Sequence, residues 1–294
     1  MTFEAHAEAA AARPLGPGSS FHCLLAEPPE TGLSLPPSFR EIYAGEWSLP
    51  ELRDRPYVYA NFAIARDGRV SFAEHGRSSG GDITDWNPND RWLMALLRAR
   101  ADAVVVGDGT LAVEPEIVWT AEDVWPADAA AFAALRVSER RATHPTQVIL
   151  SLHGKLPEAR IFQEQDLDII IATTMHGARA ARDTAAGAGV EVFELGTETV
   201  DVPRLLTALR EARGVTTVLS EGGPRVYGSL LRAGAVDDEF LTVCPKVLGD
   251  SSAREPRRPS LVEGVAFSPD DTPRSRLLSV RRAGDYLFLR SRYQ

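Results

Sequence analysis

The sequence predicts an α/β fold: a central, mostly parallel sheet flanked by helices, with an antiparallel pair of strands at the C-terminus. Three observations carry this prediction. Short, continuous apolar runs alternate with helix-like stretches over residues 101–244, the pattern of strands buried on both faces and joined by crossover helices. Turns rich in glycine or hydroxyls follow three of those runs, at Gly107, Ser151 and Gly222, and open parallel sheets bind ligands beyond the carboxyl ends of their strands. The runs 277–280 and 286–289 flank Ala283-Gly284-Asp285, which reads as a closing hairpin.

The rest of the chain is organised around residues 219–249. The β-branched run Val215-Thr216-Thr217-Val218-Leu219 reads as a buried strand and leads into Ser220, Glu221, Gly222 and Gly223. Neither glycine has a Cβ, so the backbone can turn tightly and approach a ligand closely. Pro224 suits the first turn of a helix, Val226, Leu230, Leu231 and Ala235 recur at helical spacing, and Gly234 suits its end. Phe240 to Cys244 forms the next strand, and Pro245-Lys246-Val247-Leu248-Gly249 breaks away from it. Free N–H groups and the helix dipole make such a turn an anion site. Taken alone, the two glycines read equally well as an ordinary strand-to-helix turn.

The longer pattern is more specific. E-G-G-P, a helix, V-D-D-E, a strand and P-K-V-L-G, in that order, resemble the pyrimidine reductase family of riboflavin biosynthesis, whose fold is dihydrofolate-reductase-like. The resemblance covers roughly residues 56–293 and implies NADPH as cofactor. It places Gly222, Gly223, Pro224, Arg225 and Val226 along the pyrophosphate and nicotinamide, and Glu221 against the substrate. Ile64 falls where the family's backbone touches the cofactor. Asp67 and Gly68 match the end of the family's S-L-D-G loop, although Ala65 and Arg66 replace its first two residues. Glu221 and Asp67 are therefore the carboxylates expected to steer a proton or hold substrate. Asp67-Gly68 also reads as a plain hairpin turn.

The loop 74–89 is polar and glycine-rich, and in the family such a loop closes on substrate and cofactor; Ser78 or Ser79 is the matching contact. Asn87 or Asn89 caps the next helix, with Pro88 near its start. Arg98 in L-L-R-A matches a substrate-contacting arginine, and its fork suits a phosphate; the competing explanation is a basic residue near a helix C-terminus. Gly107-Asp108-Gly109-Thr110 is a second turn, in which the resemblance makes Gly107, Gly109 and Thr110 cofactor contacts. The Rossmann glycine pattern is not present there. Ser151 matches a serine near the cofactor 2′-phosphate, with His153 and Lys155 as basic neighbours, and Thr173 suits the adenine side.

One segment departs from the family. D-D-P-x-L-T-x-R is replaced by Val113-Glu114-Pro115-Glu116-Ile117-Val118-Trp119, so Glu114 is its only acidic match, as a substrate contact, and the phosphate-holding arginine is missing. Two alternatives to a phosphorylated ribosylamino-pyrimidine substrate therefore stay open. One is another heterocycle, such as a dihydrofolate-type pterin; the other is a non-catalytic NADP-binding protein. In the insert up to His144, Trp119 and Trp125 read as packing or as a changed substrate wall.

The composition, 44% hydrophobic and 25% charged, is that of a soluble globular protein. The net charge of −9, with no basic cluster interleaved with aromatics, argues against a nucleic-acid partner. No apolar run is long enough to cross a membrane. Cys23 and Cys244 form no C-x-x-C pair, no metal ligand set is readable, and a cytoplasmic enzyme is expected. Residues 1–20 read as a flexible tail. Within it, His6-Ala7-Glu8 is half a zinc-deaminase signature whose P-C-x-x-C half is absent. Residues 21–55 read as an arm packing on the body through Phe21, Leu24, Leu25, Phe39, Ile42, Tyr43, Trp47 and Leu49, and residues 56–294 as the reductase domain. The resemblance implies a homodimer formed through the terminal elements.

Overall fold

The structure, a computed structural model, describes residues 15–52, 54–185, 189–251, 253 and 255–294; His6 and Glu8 lie outside them. The strands are β1 (His22–Ala26), β2 (Tyr57–Ala65), β3 (Ala103–Gly107), β4 (Thr146–Ser151), β5 (Ile169–Thr173), β6 (Glu191–Glu194), β7 (Thr217–Ser220), β8 (Asp238–Cys244), β9 (Ser275–Ala283) and β10 (Tyr286–Tyr293). The helices are α1 (Pro37–Tyr43), α2 (Gly80–Thr84), α3 (Pro88–Ala99), α4 (Asp108–Val113), α5 (Ala121–Val124), α6 (Ala129–Ser138), α7 (Ala178–Ala185), α8 (Val202–Arg213) and α9 (Pro224–Arg232).

One ten-stranded sheet runs β1-β9-β10-β8-β2-β7-β3-β4-β5-β6. Pairing is parallel from β8 through β6 and antiparallel from β8 through β10 and β9 to β1. Because side chains alternate along a strand, β2 sends Tyr57 and Tyr59 to one core and Val58 and Ala60 to the other. β3 divides in the same way, with Val104 and Val106 opposite Ala103 and Val105. The first core is closed by α3, the insert and the N-terminal residues; the second is closed by α8 and α9.

Several local expectations meet a different outcome. The 65–69 turn forms, with Gly68 N–H donating to Ala65 and Ala65 N–H to Arg69. No hairpin strand returns from it; the end of β2 next to the turn pairs with β8 as far as Ala65. Leu15 to Ser20 are tied to the body rather than free: Gly16 N–H donates to Asp128 Oδ2 (2.9 Å) and Ser19 Oγ to Asn89 Oδ1 (2.6 Å). Phe21, Phe39, Tyr43, Trp47 and Leu49 are buried, whereas Leu24 and Leu25 on edge strand β1 are exposed. Arg100, fully buried, anchors this region by donating to the carbonyls of Trp47 and Leu33 while pairing with Glu139. In the insert, Trp119 is a buried core residue. The indoles of Trp92 and Trp125 both donate to Asp128 Oδ2, at 3.1 and 2.9 Å. Packing therefore accounts for both insert tryptophans.

Candidate active site

The sheet order places β7 beside β3, so the turns after these strands meet at one edge. Glu221 and Gly222 leave β7, and Gly223, in an extended conformation, is the N-cap of α9 with no side-chain cap bond. Gly107 is the N-cap of α4, again without one. Val226 in the first turn of α9 packs under both turns. A Cβ on Gly222 would stand 2.6 Å from Val226 Cβ, and one on Gly107 would stand 3.0 Å from Val226 Cγ2. At Gly223 a Cβ would meet only Thr110 Oγ1, at 3.6 Å. The two turns thus face each other over the Val226 side chain, with Thr110 Oγ1 the nearest atom on the Gly223 side of the gap, and the first N–H groups of α9 have no partner within their helix. Arg225 is exposed on α9, and Gly109 faces open space.

Behind this gap Arg98 and Glu221 form a buried, bidentate ion pair. Arg98 Nη2 lies 2.7 Å from Glu221 Oε2 and Nε lies 3.1 Å from Oε1, with side chains 2% and 7% exposed. Arg98 Nη1 donates to the carbonyl of Thr120 (3.2 Å). The guanidinium is therefore committed to Glu221 and the backbone. It orients Glu221 from the last turn of α3.

Two further carboxyls share this pocket. Burial, helped by the charges of Glu221 and Asp82 and opposed by Arg98, pushes Glu114 up to about 7. Burial also pushes Asp90 up to about 6, with Glu221 adding to the effect. For Glu114 the folded value exceeds the unfolded one, so its stabilising contribution is full below about 4.5 and is lost as pH rises through about 7. Glu114→Gln is expected to melt close to wild type near pH 5 and to exceed it near pH 8 by about 1–3 kcal/mol. Parallel melting curves across that range would remove Glu114 from the buried set.

The remaining predicted residues are placed as follows. Ser151 is buried; its Oγ donates to Asp108 Oδ2 (2.7 Å) and accepts from Gly154 N–H (3.0 Å). It buttresses the β3–α4 turn, and His153 and Lys155, close by in the chain, are exposed. Thr173 pairs across β4–β5 with Ser151, and its buried Oγ1 has no partner among the described residues. Ile64 is half-buried on β2 opposite Val243. Asp67 is exposed, and its oxygens accept from the N–H groups of Leu248 (3.2 Å) and Gly249 (2.6 Å). In this geometry it braces the 246–249 loop. Ser78 Oγ donates to Glu74 within its own loop.

Sequence reasoning did not single out Asp82, Asp90 or Asp108. Asp90 looks like a first-turn acid complementing a helix dipole, and only tertiary packing buries it. Asp82 completes a capping box with Ser79 at α2, and S-x-x-D was the available signal.

A sequence model of the RibD C-terminal domain matches residues 56–288. This chain belongs to that family. The family segment begins where β2 begins and contains both glycine turns and the Arg98–Glu221 pair. The chain is similar to the 2,5-diamino-6-ribosylamino-4(3H)-pyrimidinone 5′-phosphate reductase of Archaeoglobus fulgidus. They are 25% identical over 241 residues, 81% of this chain and 99% of that protein. It is 27% identical over 201 residues to the riboflavin biosynthesis protein RibD of Chlamydia muridarum, of which it spans about half, 48% of the length. Two solved structures share the fold. Acinetobacter baumannii RibD gives a TM-score of 0.61 at 23% identity, covering 82% of this chain and 59% of that one. A pyrimidine reductase-like protein from Corynebacterium diphtheriae gives 0.63 at 22% identity, covering 82% and 93%.

Proposed function

We propose that this RibD C-terminal-domain chain is an NADPH-dependent reductase of a riboflavin-pathway pyrimidine, converting a phosphorylated ribosylamino-pyrimidine to its ribityl form. The observation that carries this reading is the meeting of two uncapped glycine turns beside a buried, oriented carboxylate. The residues fit a dinucleotide: the N-terminus of α9 carries no side-chain cap, a Cβ at Gly223 would meet Thr110 Oγ1 alone, and the buried hydroxyl of Thr173 has no partner among the described residues. Thr110 and the first turn of α9 hold the pyrophosphate, and His153 and Lys155 favour the 2′-phosphate. The bound cofactor supplies the hydride. Arg98 fixes Glu221 toward the substrate, and Glu114, protonated on a carboxylate oxygen below about pH 7, is the acid available to the ribose ring oxygen as the ring opens.

One observation favours a second reading, reduction of an unphosphorylated heterocycle such as a pterin. Arg98 is spent on Glu221, and residues 113–119 bring no other arginine. Purified protein, supplied with NADPH or NADH, should oxidise NADPH when given the ribosylamino-pyrimidinone phosphate. Turnover only with the dephosphorylated compound or with dihydrofolate selects the second reading. Cofactor binding without oxidation of any of these removes both.

A soluble, cytoplasmic homodimer completes the proposal. Among the described residues no helix is long and apolar enough to cross a membrane. Exposed Leu24 and Leu25 lie on the edge strand β1 and Leu277 on its neighbour β9, where a second copy can cover them.

A further inference from the structure

Trp86 stands apart from the other tryptophans. Trp47, Trp92 and Trp119 are at most 2% exposed, whereas Trp86 is 56% exposed and belongs to neither core. Its backbone is also unusual. Asp85 and Trp86 are consecutive non-glycine residues in the left-handed region, at φ 52° and 54°. Side chains disfavour that region, and strain of this kind persists only where the surroundings over-determine it, most often at functional sites.

The surroundings here do over-determine it. Trp86 N–H donates to Gly81 (3.0 Å) and Asn87 N–H to Thr84 (3.1 Å). Lys246 Nζ pairs with Asp85 Oδ1 (2.6 Å) and donates to the Asp82 carbonyl (2.9 Å), while Tyr286 OH donates to the Thr84 carbonyl (2.9 Å). The indole lies flat enough on α2 that a Cβ on Gly81 would stand 2.7 Å from its ring atoms, so only glycine admits it. The same short helix carries Asp82, whose charge acts on Glu114 in the pocket. One face of the indole thus rests on α2, the helix of Asp82, whose charge reaches Glu114 as that of Glu221 does, and the side chain is otherwise exposed.

We propose that Trp86 is a stacking platform for the flat heterocycle of the substrate, with the pocket carboxylates receiving the N–H groups along its edge; this rests on the reductase reading above. An amino-substituted pyrimidinone meets both demands, a broad π-face for the indole and a donor-rich rim for acids. Ribose 5-phosphate alone meets neither.

Acrylamide quenching tests this directly. The difference in tryptophan emission between wild type and Trp86→Phe isolates the accessible indole. With NADP+ present, 2,5-diamino-6-ribosylamino-4(3H)-pyrimidinone 5′-phosphate should shield Trp86, and ribose 5-phosphate should not. In turnover assays, Trp86→Ala should raise KM about tenfold, the scale of one lost aromatic stack, while the NADPH affinity stays within about twofold of wild type. Trp86→Phe should recover most of the loss. Gly81→Ala, which pushes the ring off its seat, should reproduce the KM increase and guards against a folding artefact of the larger truncation. Equal shielding by both ligands, shielding by neither, or shielding that follows protein concentration alone would overturn the proposal. Turnover with an unchanged KM in Trp86→Ala sinks the platform and leaves the reductase. Shielding without any turnover sinks the reductase and leaves the platform.

Discussion

Arg98→Ala is expected to lower the unfolding free energy by about 3–5 kcal/mol, the usual cost of breaking a buried ion pair by removing one partner. The reason lies in what the arginine leaves behind. Glu221, 7% exposed, would stand without its bidentate partner beside Glu114 and Asp90, whose carboxyls are already pushed upward by burial and by Glu221 itself. Arg98→Lys keeps the charge but not the fork, so it should recover part of the stability and little of the activity. Thermal melts and a double-mutant cycle check this. If Arg98 acts through Glu221, the kinetic losses of Arg98→Ala and Glu221→Ala will not add. Additive losses would mean that Arg98 meets substrate independently, which its hydrogen bonds to Glu221 and Thr120 leave little room for.

Gly223→Asp is expected to separate folding from binding. Gly223 is the N-cap of α9 at φ −64° and ψ 179°, a conformation open to any residue, and the space at its Cβ reaches only Thr110 Oγ1 at 3.6 Å. Aspartate is a better N-cap than glycine by a few tenths of a kcal/mol, so the variant should fold at least as well as wild type. Its carboxylate would nevertheless occupy the gap between the two turns and oppose an incoming pyrophosphate. A unit charge at such a distance is worth about 4 kcal/mol in a partly screened site, so the NADPH dissociation constant should rise on the order of a hundredfold or more. Fluorescence titration of both proteins reads this. Unchanged affinity would place the cofactor elsewhere. Unfolding of the variant would instead show that the turn is tighter than its geometry implies.

Much of the central sheet was legible because its signals are local. Continuous apolar runs and Pro224 at a helix start each act through their immediate neighbours, and α9 begins at Pro224 as its pattern predicted. β1 was missed because all its residues are exposed, so it carries no alternation of apolar and polar positions. It exists through hydrogen bonds to β9, whose residues lie some 250 positions away in the chain. Asp67-Gly68 could also be read as a hairpin turn, and the pairing of β2 with β8, about 180 residues on, is what decides that no second strand follows it.

The site divides in the same way. By itself the sequence determined which residues could build it: Gly222 and Gly223 before a helix, a second glycine turn ending at Thr110, and the arginine and glutamates nearby. Those are statements about residue type and short spacing, and short-range sterics and capping enforce them. Only the tertiary structure decided what each charged group does. Arg98 and Glu221, 123 residues apart, meet as a buried pair, so the arginine expected at the substrate also orients a carboxylate. Asp67 is drawn onto the 246–249 loop, and Glu114 is raised by burial and by neighbours on other elements. Charge and desolvation depend on distances through space, and chain spacing does not encode them.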